Sequence, residues 1–286
     1  ISHYNLLCNK LLEKEIDRKS TLICIGGGTL GDLCGFVAST ILRGIDFILV
    51  PTTLLAQVDS SIGGKNGINT SMGKNLIGTF YQPKKVLIDT VYLKTLTKRE
   101  IKSGYAEIIK HALIYNFNFF KWLEKNYEKV ISLQANILEN AIFQSLKIKL
   151  FFVEKDFNEN LKNKNSRAML NFGHTFGHAL ETYYRYKRNI NHGEAISVGM
   201  IVEAKISNYF GYLSNRNLES IINHFQKVNL KTFDSNIRNK NILKIIIKDK
   251  KNYNNQINII LLKNIGKSIY IQNLSIKKLK EFIKKI

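Results

Sequence analysis

Three of the six histidines in this chain fall in one short stretch, His174 and His178 in LNFGHTFGHALE and His192 in NHGEA. Positions i and i+4 lie on one helix face, so His174 and His178 are spaced to share an ion or a substrate. Gly173 and Gly177 precede them, and glycine costs a helix nearly 1 kcal/mol per residue, which implies a close approach to the backbone there. The spacing matches that of a zincin helix, but Thr175 stands where that motif needs its glutamate base, which excludes a protease. An isolated HxxxH fits a polar helix with hydrogen-bonded histidines equally well. His192, followed by Gly193, Glu194 and the small-residue helix AISVGMIVEA, points instead to a metal or phosphate site.

The elements that must position these groups follow from periodicity. Residues 4–15 pattern as a helix, and TLICI (21–25) as a short buried strand. Gly26-Gly27-Gly28 comes next, and Thr29-Leu30-Gly31-Asp32 opens the helix LCGFVASTIL. Strand, glycine turn and helix together present backbone N–H groups and a helix N-terminus to a phosphate, although GGGTLGD is not a strict GxGxxG and also suits a turn with no ligand. IDFILV (45–50) patterns as a second buried strand ending at Pro51-Thr52-Thr53, with Arg43 just before it. Lys65 and Lys74 sit between glycines in loops that lack the Ser or Thr of a Walker motif, so they suit anion contacts of another design or simple solvated lysines. VLID (86–89) patterns as a further strand.

From about residue 99 the pattern becomes helical. SGYAEIIKH puts Glu107, Lys110 and His111 on one face, which by itself describes a surface ion pair of little energetic value. Arg167 and Asn171, seven and three residues before His174, are expected on its helix face. A two-stranded ribbon (INIILL, SIYIQ) and a basic helix follow.

Composition narrows the function classes. No apolar run reaches the roughly 20 residues of a membrane span, so a soluble protein is expected. Three scattered cysteines, Cys8, Cys24 and Cys34, indicate neither a disulfide framework nor a thiolate zinc site and fit a reducing cytosol. The net charge of +21 raises nucleic-acid binding, but the lysines are dispersed among Asn and Ile and are not gathered with aromatics into a stripe. The chain opens at Ile1 without an initiator Met or signal-peptide layout, which suggests a fragment.

In order along the chain, GGGTLGDLCGFVA, RGIDFILVPTTLLAQVDSSIGGKNGIN, GKNLIGTFYQP, SGYAEIIK, LNFGHTFGHALE, HGEA and the KDKK near 250 resemble the 3-dehydroquinate synthase family of sugar-phosphate cyclases. The resemblance implies an α/β nucleotide-binding domain over 1–98, with a Rossmann-like parallel sheet incomplete at its N-terminus. A mainly α-helical metal-binding domain follows over 99–286, with the active site between the two.

The resemblance also implies zinc, or cobalt as an alternative ion, held by Glu107, His174 and His192, in place of the His174–His178 pair that spacing alone suggests. NAD is expected at Gly28, Thr29, Leu30, Gly31, Asp32, Thr52, Thr53, Asp59, Lys65, Lys74, Tyr92, Leu93, Lys94 and Thr95. The substrate implied is a seven-carbon keto-acid phosphate, met by Arg43, Lys65, Asn75, Lys110, Lys149, Arg167, Asn171, His178 and Lys250, with His178 as a proton relay. The family reaction oxidises a ring hydroxyl with NAD, expels phosphate, returns the hydride and closes a carbocycle. A cytoplasmic homodimer with no nucleic-acid or membrane partner is expected.

Two departures stand out. The acidic-Gly-Arg segment of the family is replaced by DFNENLKNKNSRA, and the resemblance implies a further N-terminal part of the nucleotide domain, with an acidic NAD contact, that the sequence from Ile1 onward does not include. The rival readings are a metal-dependent polyol dehydrogenase, which has no need of so many anion-binding residues, and a basic nucleic-acid-binding protein.

Overall fold

The computed structural model describes residues 1–70, 73–185, 189–248 and 256–285, which form two compact units, Ile1–Gly104 and Tyr105–Ile286.

The first unit is α/β. Helix α1 (Ser2–Leu12) precedes β1 (Thr21–Gly26), α2 (Gly28–Thr40) and β2 (Asp46–Pro51). A π-helical turn (Ala56–Ser60), β3 (Lys65–Thr70), β4 (Gly73–Phe80), the two-residue β5 (Lys85–Val86) and a 3₁₀ turn (Thr90–Thr95) follow. The sheet is parallel in the order β1-β2-β5, with Cys24 beside Leu49 and Ile48 beside Lys85. Its core consists of Cys24, Cys34, Val37, Ala38, Phe47 and Leu49, with residues of α1 packed against it.

Two expectations for this unit change. TLICI is not buried throughout: Cys24 is 3% exposed while Ile23 and Ile25 are 59% and 57% exposed, because α1 and α2 cover only one face of the strand among the described residues. The glycine-flanked lysine segment is not loop but an antiparallel β3–β4 hairpin, with Lys65 opposite Phe80 and Gly67 opposite Gly78. A Cβ on Gly78 would come within 2.2 Å of the Asn66 carbonyl oxygen, so its glycine serves the closeness of the strands. A Cβ on Gly35 of α2 would lie 2.0 Å from Asn66 Oδ1, and the bare helix there lets the hairpin dock. VLID contributes only its first residue to β5, while Leu87 N still donates to Leu49 O.

The second unit is mainly helical: α3 (Lys98–Tyr115), which begins in the first unit, then α4 (Phe117–Ile131), α5 (Ala135–Lys155), a 3₁₀ turn (Arg167–Asn171), α6 (His174–Tyr183), α7 (His192–Tyr209), α8 (Asn215–Lys227), a 3₁₀ turn (Ser235–Arg238), α9 (Lys240–Lys248), β6 (Gln256–Asn264), β7 (Lys267–Ser275) and α10 (Ile276–Ile283). The β6–β7 ribbon is antiparallel and turns at Gly266, whose φ of 78° suits glycine. Ile257, Ile259 and Leu261 join Phe176, Leu180, Val198 and Val202 in one core. Among the described residues no helix is long and apolar enough to cross a membrane, and all three cysteines are free.

Helices α6 and α7 pack backbone against backbone. A Cβ on Gly199 would lie 1.9 Å from the Gly173 carbonyl oxygen, and one on Gly177 would lie 2.5 Å from Ile196 Cδ1. The close approach that the two glycines before the histidines implied is therefore that of a neighbouring helix.

Candidate functional site

In the first unit the chain leaves β1 through Gly26 and Gly27 and enters α2 at Gly28. Its N-cap is Gly27, which offers no side-chain acceptor to the leading N–H groups. The geometry suits a diphosphate, which such a terminus attracts through its amides and dipole. A Cβ at Gly28 would meet Ser60 Oγ at 2.5 Å, and Gly26, Gly27, Gly28, Gly31, Pro51 and Ser60 line a shallow pocket beside the turn.

The other residues expected to hold NAD lie near this turn or elsewhere in the unit. Thr29 and Leu30 are exposed in the first turn of α2. Asp32 accepts from Asn75 Nδ2 at 3.2 Å, Thr52 N donates to Gly26 O at 2.9 Å, and Thr53 Oγ1 accepts from Ala56 N at 3.2 Å. Asp59 sits in the π-helical turn. Tyr92, Leu93, Lys94 and Thr95 form a 3₁₀ turn in which the Leu93 side chain is wholly buried, so a ligand can meet only its backbone. Lys65 is exposed at the start of β3, and Arg43 is exposed with φ of 67°. The Lys74 side chain and Lys250 lie outside the described residues.

The second unit builds its site from buried charge. Glu107 is fully buried on α3, and its Oε1 lies 3.4 Å from His192 Nε2 and 3.8 Å from His174 Nε2. One ligand atom from each of the three residues falls within 4.8 Å of the others. Neither Glu107 oxygen receives a well-directed hydrogen bond, and Oε2 faces the ammonium of Lys110. The Glu107–Lys110 pair is therefore not the surface ion pair its spacing suggests, since both residues are at most 1% exposed.

The two imidazoles are fixed from behind. Because a carbonyl can only accept, His174 Nδ1 donates to Phe172 O at 3.1 Å, and His192 Nδ1 faces Glu181 Oε1 at 3.2 Å. Both Nε2 atoms are thereby turned toward Glu107, the arrangement in which histidine serves as a metal ligand. Two imidazoles and a carboxylate form a donor set that suits zinc or cobalt, with coordination positions left for substrate oxygens. A buried carboxylate short of donors is what such a cation would satisfy.

Charges follow the same layout. Burial would raise the Glu107 carboxyl, but the Lys110 ammonium, with His192 and His174, outweighs it and holds the group well below the usual carboxylate range. Burial, aided by Lys110, pushes His174 well down. Burial would lower His192 as well, yet the Glu107 and Glu181 carboxylates facing its two ring nitrogens raise it to about 9.

His178 stands with its ring centroid 5.0 Å from that of His174 and 6.4 Å from that of His192, beside the cluster but outside the three-ligand group. Lys149 and Arg167 are each 4% exposed, which with Lys110 gives three buried cations among the described residues of this unit. Arg167 and Asn171 do not share a helix face with His174: they occupy the 3₁₀ turn, and α6 starts only after Gly173, whose φ of 82° breaks the helical run.

Asp156 organises the segment before that turn by accepting from the backbone of Asn160, Leu161 and Arg167 and from Ser166 Oγ, while Arg167 Nη1 donates to Phe157 O at 2.8 Å. Burial would raise the Asp156 carboxyl, but these donors hold it below its ordinary value.

Four residues escaped sequence reasoning. Glu159 accepts from Asn171 Nδ2 at 2.7 Å, inside the stretch DFNENLKNKNSRA. Glu181 supports His192, and its position seven residues after His174 on the same helix was the available signal. Ser145 lies 2.6 Å from His111 Nδ1. Glu203, buried on α7, accepts from Gly173 N and Thr175 N, and burial pushes it up to about 8 despite those amides. Glu194 belongs to the α7 capping box with Asn191 and stands outside the Glu107, His174 and His192 group.

Residues 1–103 match the family model for the 3-dehydroquinate synthase N-terminal domain and residues 104–252 that for its C-terminal domain. The chain is 46% identical to the 3-dehydroquinate synthase of Pelagibacter ubique over 98% of its length and 76% of the relative's. It is 44% identical to that of Thermoanaerobacter pseudethanolicus over 92% and 73%. Among solved structures it resembles a 2-deoxy-scyllo-inosose synthase complexed with carbaglucose-6-phosphate, NAD+ and Co2+, at 28% identity and a TM-score of 0.88 over 99% of this chain and 79% of that one. It shares the fold of a 2-epi-5-epi-valiolone synthase from Streptomyces hygroscopicus subsp. jinggangensis, at 22% identity and a TM-score of 0.89 over 99% and 78%.

Proposed function

The chain belongs to the 3-dehydroquinate synthase family, and on that premise we propose that Glu107, His174 and His192 hold the divalent metal of a phosphate-eliminating cyclase. The enzyme is a lyase of the shikimate pathway that converts 3-deoxy-D-arabino-heptulosonate 7-phosphate to 3-dehydroquinate and phosphate, with NAD and zinc or cobalt as cofactors. When bound, NAD would supply a reversible hydride acceptor for a ring carbinol carbon, and the metal held by Glu107, His174 and His192 would polarise the hydroxyl on that carbon.

The observation that carries the reading is the meeting of one buried carboxylate and two rear-braced imidazoles within 4.8 Å. The protein's own share is to bind, orient and shield. Lys110, Lys149 and Arg167 are buried cations of the kind that a substrate with a carboxylate and a phosphate requires, and Arg offers bidentate contacts to either group. Asn171, held by Glu159, and His178, beside the metal ligands, are suited to orient substrate hydroxyls and to relay a proton. In the first unit the uncapped N-terminus of α2, with Gly28 to Asp32, Thr52 and Thr53 around it, is assigned to the NAD diphosphate, and Asp59, Lys65, Lys74 and the turn Tyr92–Thr95 to the rest of the nucleotide. Arg43, Asn75 and Lys250 complete the substrate set. The reading includes a cytoplasmic homodimer with no nucleic-acid partner. Free cysteines and dispersed lysines support the location and the partner class.

The test is an assay of phosphate release from the heptulosonate phosphate with NAD far below the substrate concentration. Many turnovers per NAD with no accumulation of NADH are expected, and activity should vanish with a chelator and return with zinc or cobalt. Stoichiometric NADH without phosphate would replace the cyclase by a polyol dehydrogenase.

A further inference from the structure

Helix α6 begins at a metal-ligand candidate and has no cap of its own. Its N-cap is Gly173, which carries no side chain and sits at φ of 82°. The first amides of a helix lack intrahelical partners, and leaving them buried and unpaired is costly. The partner comes from the next helix: Glu203, wholly buried on α7, accepts from Gly173 N through Oε2 at 2.5 Å and from Thr175 N through Oε1 at 3.2 Å. These two amides flank His174. The reach across is short because Gly173, Gly177 and Gly199 bring the two backbones into contact.

We propose that Glu203 is a positioning residue for the metal centre, fixing the first turn of α6 so that His174 meets Glu107 and His192. This rests on the metal reading given above. Two restraints then act on His174 from independent directions, Glu203 on its backbone and Phe172 O on its ring. A carboxyl group is an expensive way to fill a position among the buried residues of α7, and an apolar residue would pack there at lower cost. What the carboxyl group adds is two oxygens that accept from two amides at once, one on each side of His174, at a helix start that has no side chain of its own to cap it. Displacing a ligand by even about 1 Å costs a preorganised site heavily.

The experiment compares wild type with Glu203→Gln and Glu203→Ala on three readouts: zinc affinity by chelator competition, the d–d absorption of bound Co2+, and deuterium uptake by residues 172–178 in metal-free protein. Gln keeps the volume and one acceptor, so it stays informative where Ala fails to fold. Expected are zinc binding about 10- to 100-fold weaker, as for other groups that orient metal ligands, altered Co2+ bands, and faster uptake at the start of α6, with Ala exceeding Gln. A purely structural cap would lower the melting temperature and leave zinc affinity and the Co2+ spectrum unchanged in the folded variants, and that result overturns the proposal. Wild-type protein that takes up neither ion would refute the metal reading and this inference together, whereas wild-type binding matched by both variants would refute this inference alone.

Discussion

The two units approach their ligands in opposite ways. In the first, the turn from β1 into α2 offers backbone amides, and its glycines are explained by what they pack against: a Cβ on Gly28 would strike Ser60 Oγ and one on Gly26 would strike Leu30. In the second, Glu107, Lys110, His174 and His192 bring charge into a space where burial works against it. A backbone site is inexpensive and tolerant, because its donors survive most substitutions. A site of buried side chains is costly to form, and it fails sharply when one member is removed.

The largest effect expected is at Glu107. Glu107→Gln removes the anion that both imidazoles and Lys110 face, so zinc should be lost and turnover should fall on the order of 10³-fold or more. The Lys110 ammonium is left buried beside a neutral amide, a situation worth about 3–5 kcal/mol of stability. Metal analysis, circular dichroism and phosphate release on one preparation check this, and full zinc occupancy in the variant would break the contrast between the units.

Next comes the glycine seam between α6 and α7. Gly199→Ala places a methyl where Gly173 O now sits, and the helices must part. A loss of about 3 kcal/mol is expected from overpacking against backbone, with weaker zinc binding as a consequence. Equal stability by urea titration would mean that the close approach has slack.

Stability should also depend on pH through His224, which is buried among Tyr105, Phe120 and Tyr127. Burial lowers it from 6.5 to about 4, a direction Lys227 reinforces and Glu124 opposes. The unfolded chain therefore binds this proton below pH 6.5 while the folded protein does not until about pH 4. Above pH 6.5 the group has no effect; as pH falls from 6.5 toward 4, stability drops by about 3 kcal/mol. His224→Phe should flatten that part of the curve, and denaturation midpoints at pH 7 and pH 4.5 for both proteins decide the matter.

The smallest effect belongs to the nucleotide turn. Thr29→Ala leaves the α2 amides in place and should change NAD affinity by less than about threefold, a fraction of a net hydrogen bond. A tenfold loss by calorimetry would show that side chains, not amides, hold the nucleotide.

The same contrast explains what the sequence made legible. Strand, glycine turn and helix are contiguous, so β1 and α2 were readable from residues 21–40 alone, although their glycines proved to be packing residues as well. The helical character of the chain from residue 99 was readable from periodicity. The metal group was not readable from spacing, because its members are 67 and 18 residues apart and the nearer pair, His174 and His178, is the misleading one. Only the ordered match of motifs across the chain pointed to Glu107.

Burial is the other property that spacing conceals. Glu107 and Lys110 at i and i+3 have the pattern of a surface pair, and only the packing around α3 makes them a buried one. Likewise, continuing α6 back through Arg167 is natural until Gly173 takes positive φ, and the Gly-, Asn- and Lys-rich β3–β4 hairpin lacks the apolar alternation that marks strands. Glu203 acts on the site from α7 with no local motif to mark it, and Glu181 acts from α6 with only its seven-residue offset from His174 as a mark.

The most direct test of the account is anomalous scattering at the zinc edge from crystals of the metal-loaded protein. It predicts one peak in the second unit, within bonding distance of Nε2 of His174, Nε2 of His192 and a Glu107 carboxylate oxygen, with both Nδ1 atoms turned away toward Phe172 O and Glu181. A peak bridging His174 and His178 with Glu107 left on Lys110, or no peak near these residues, would contradict it.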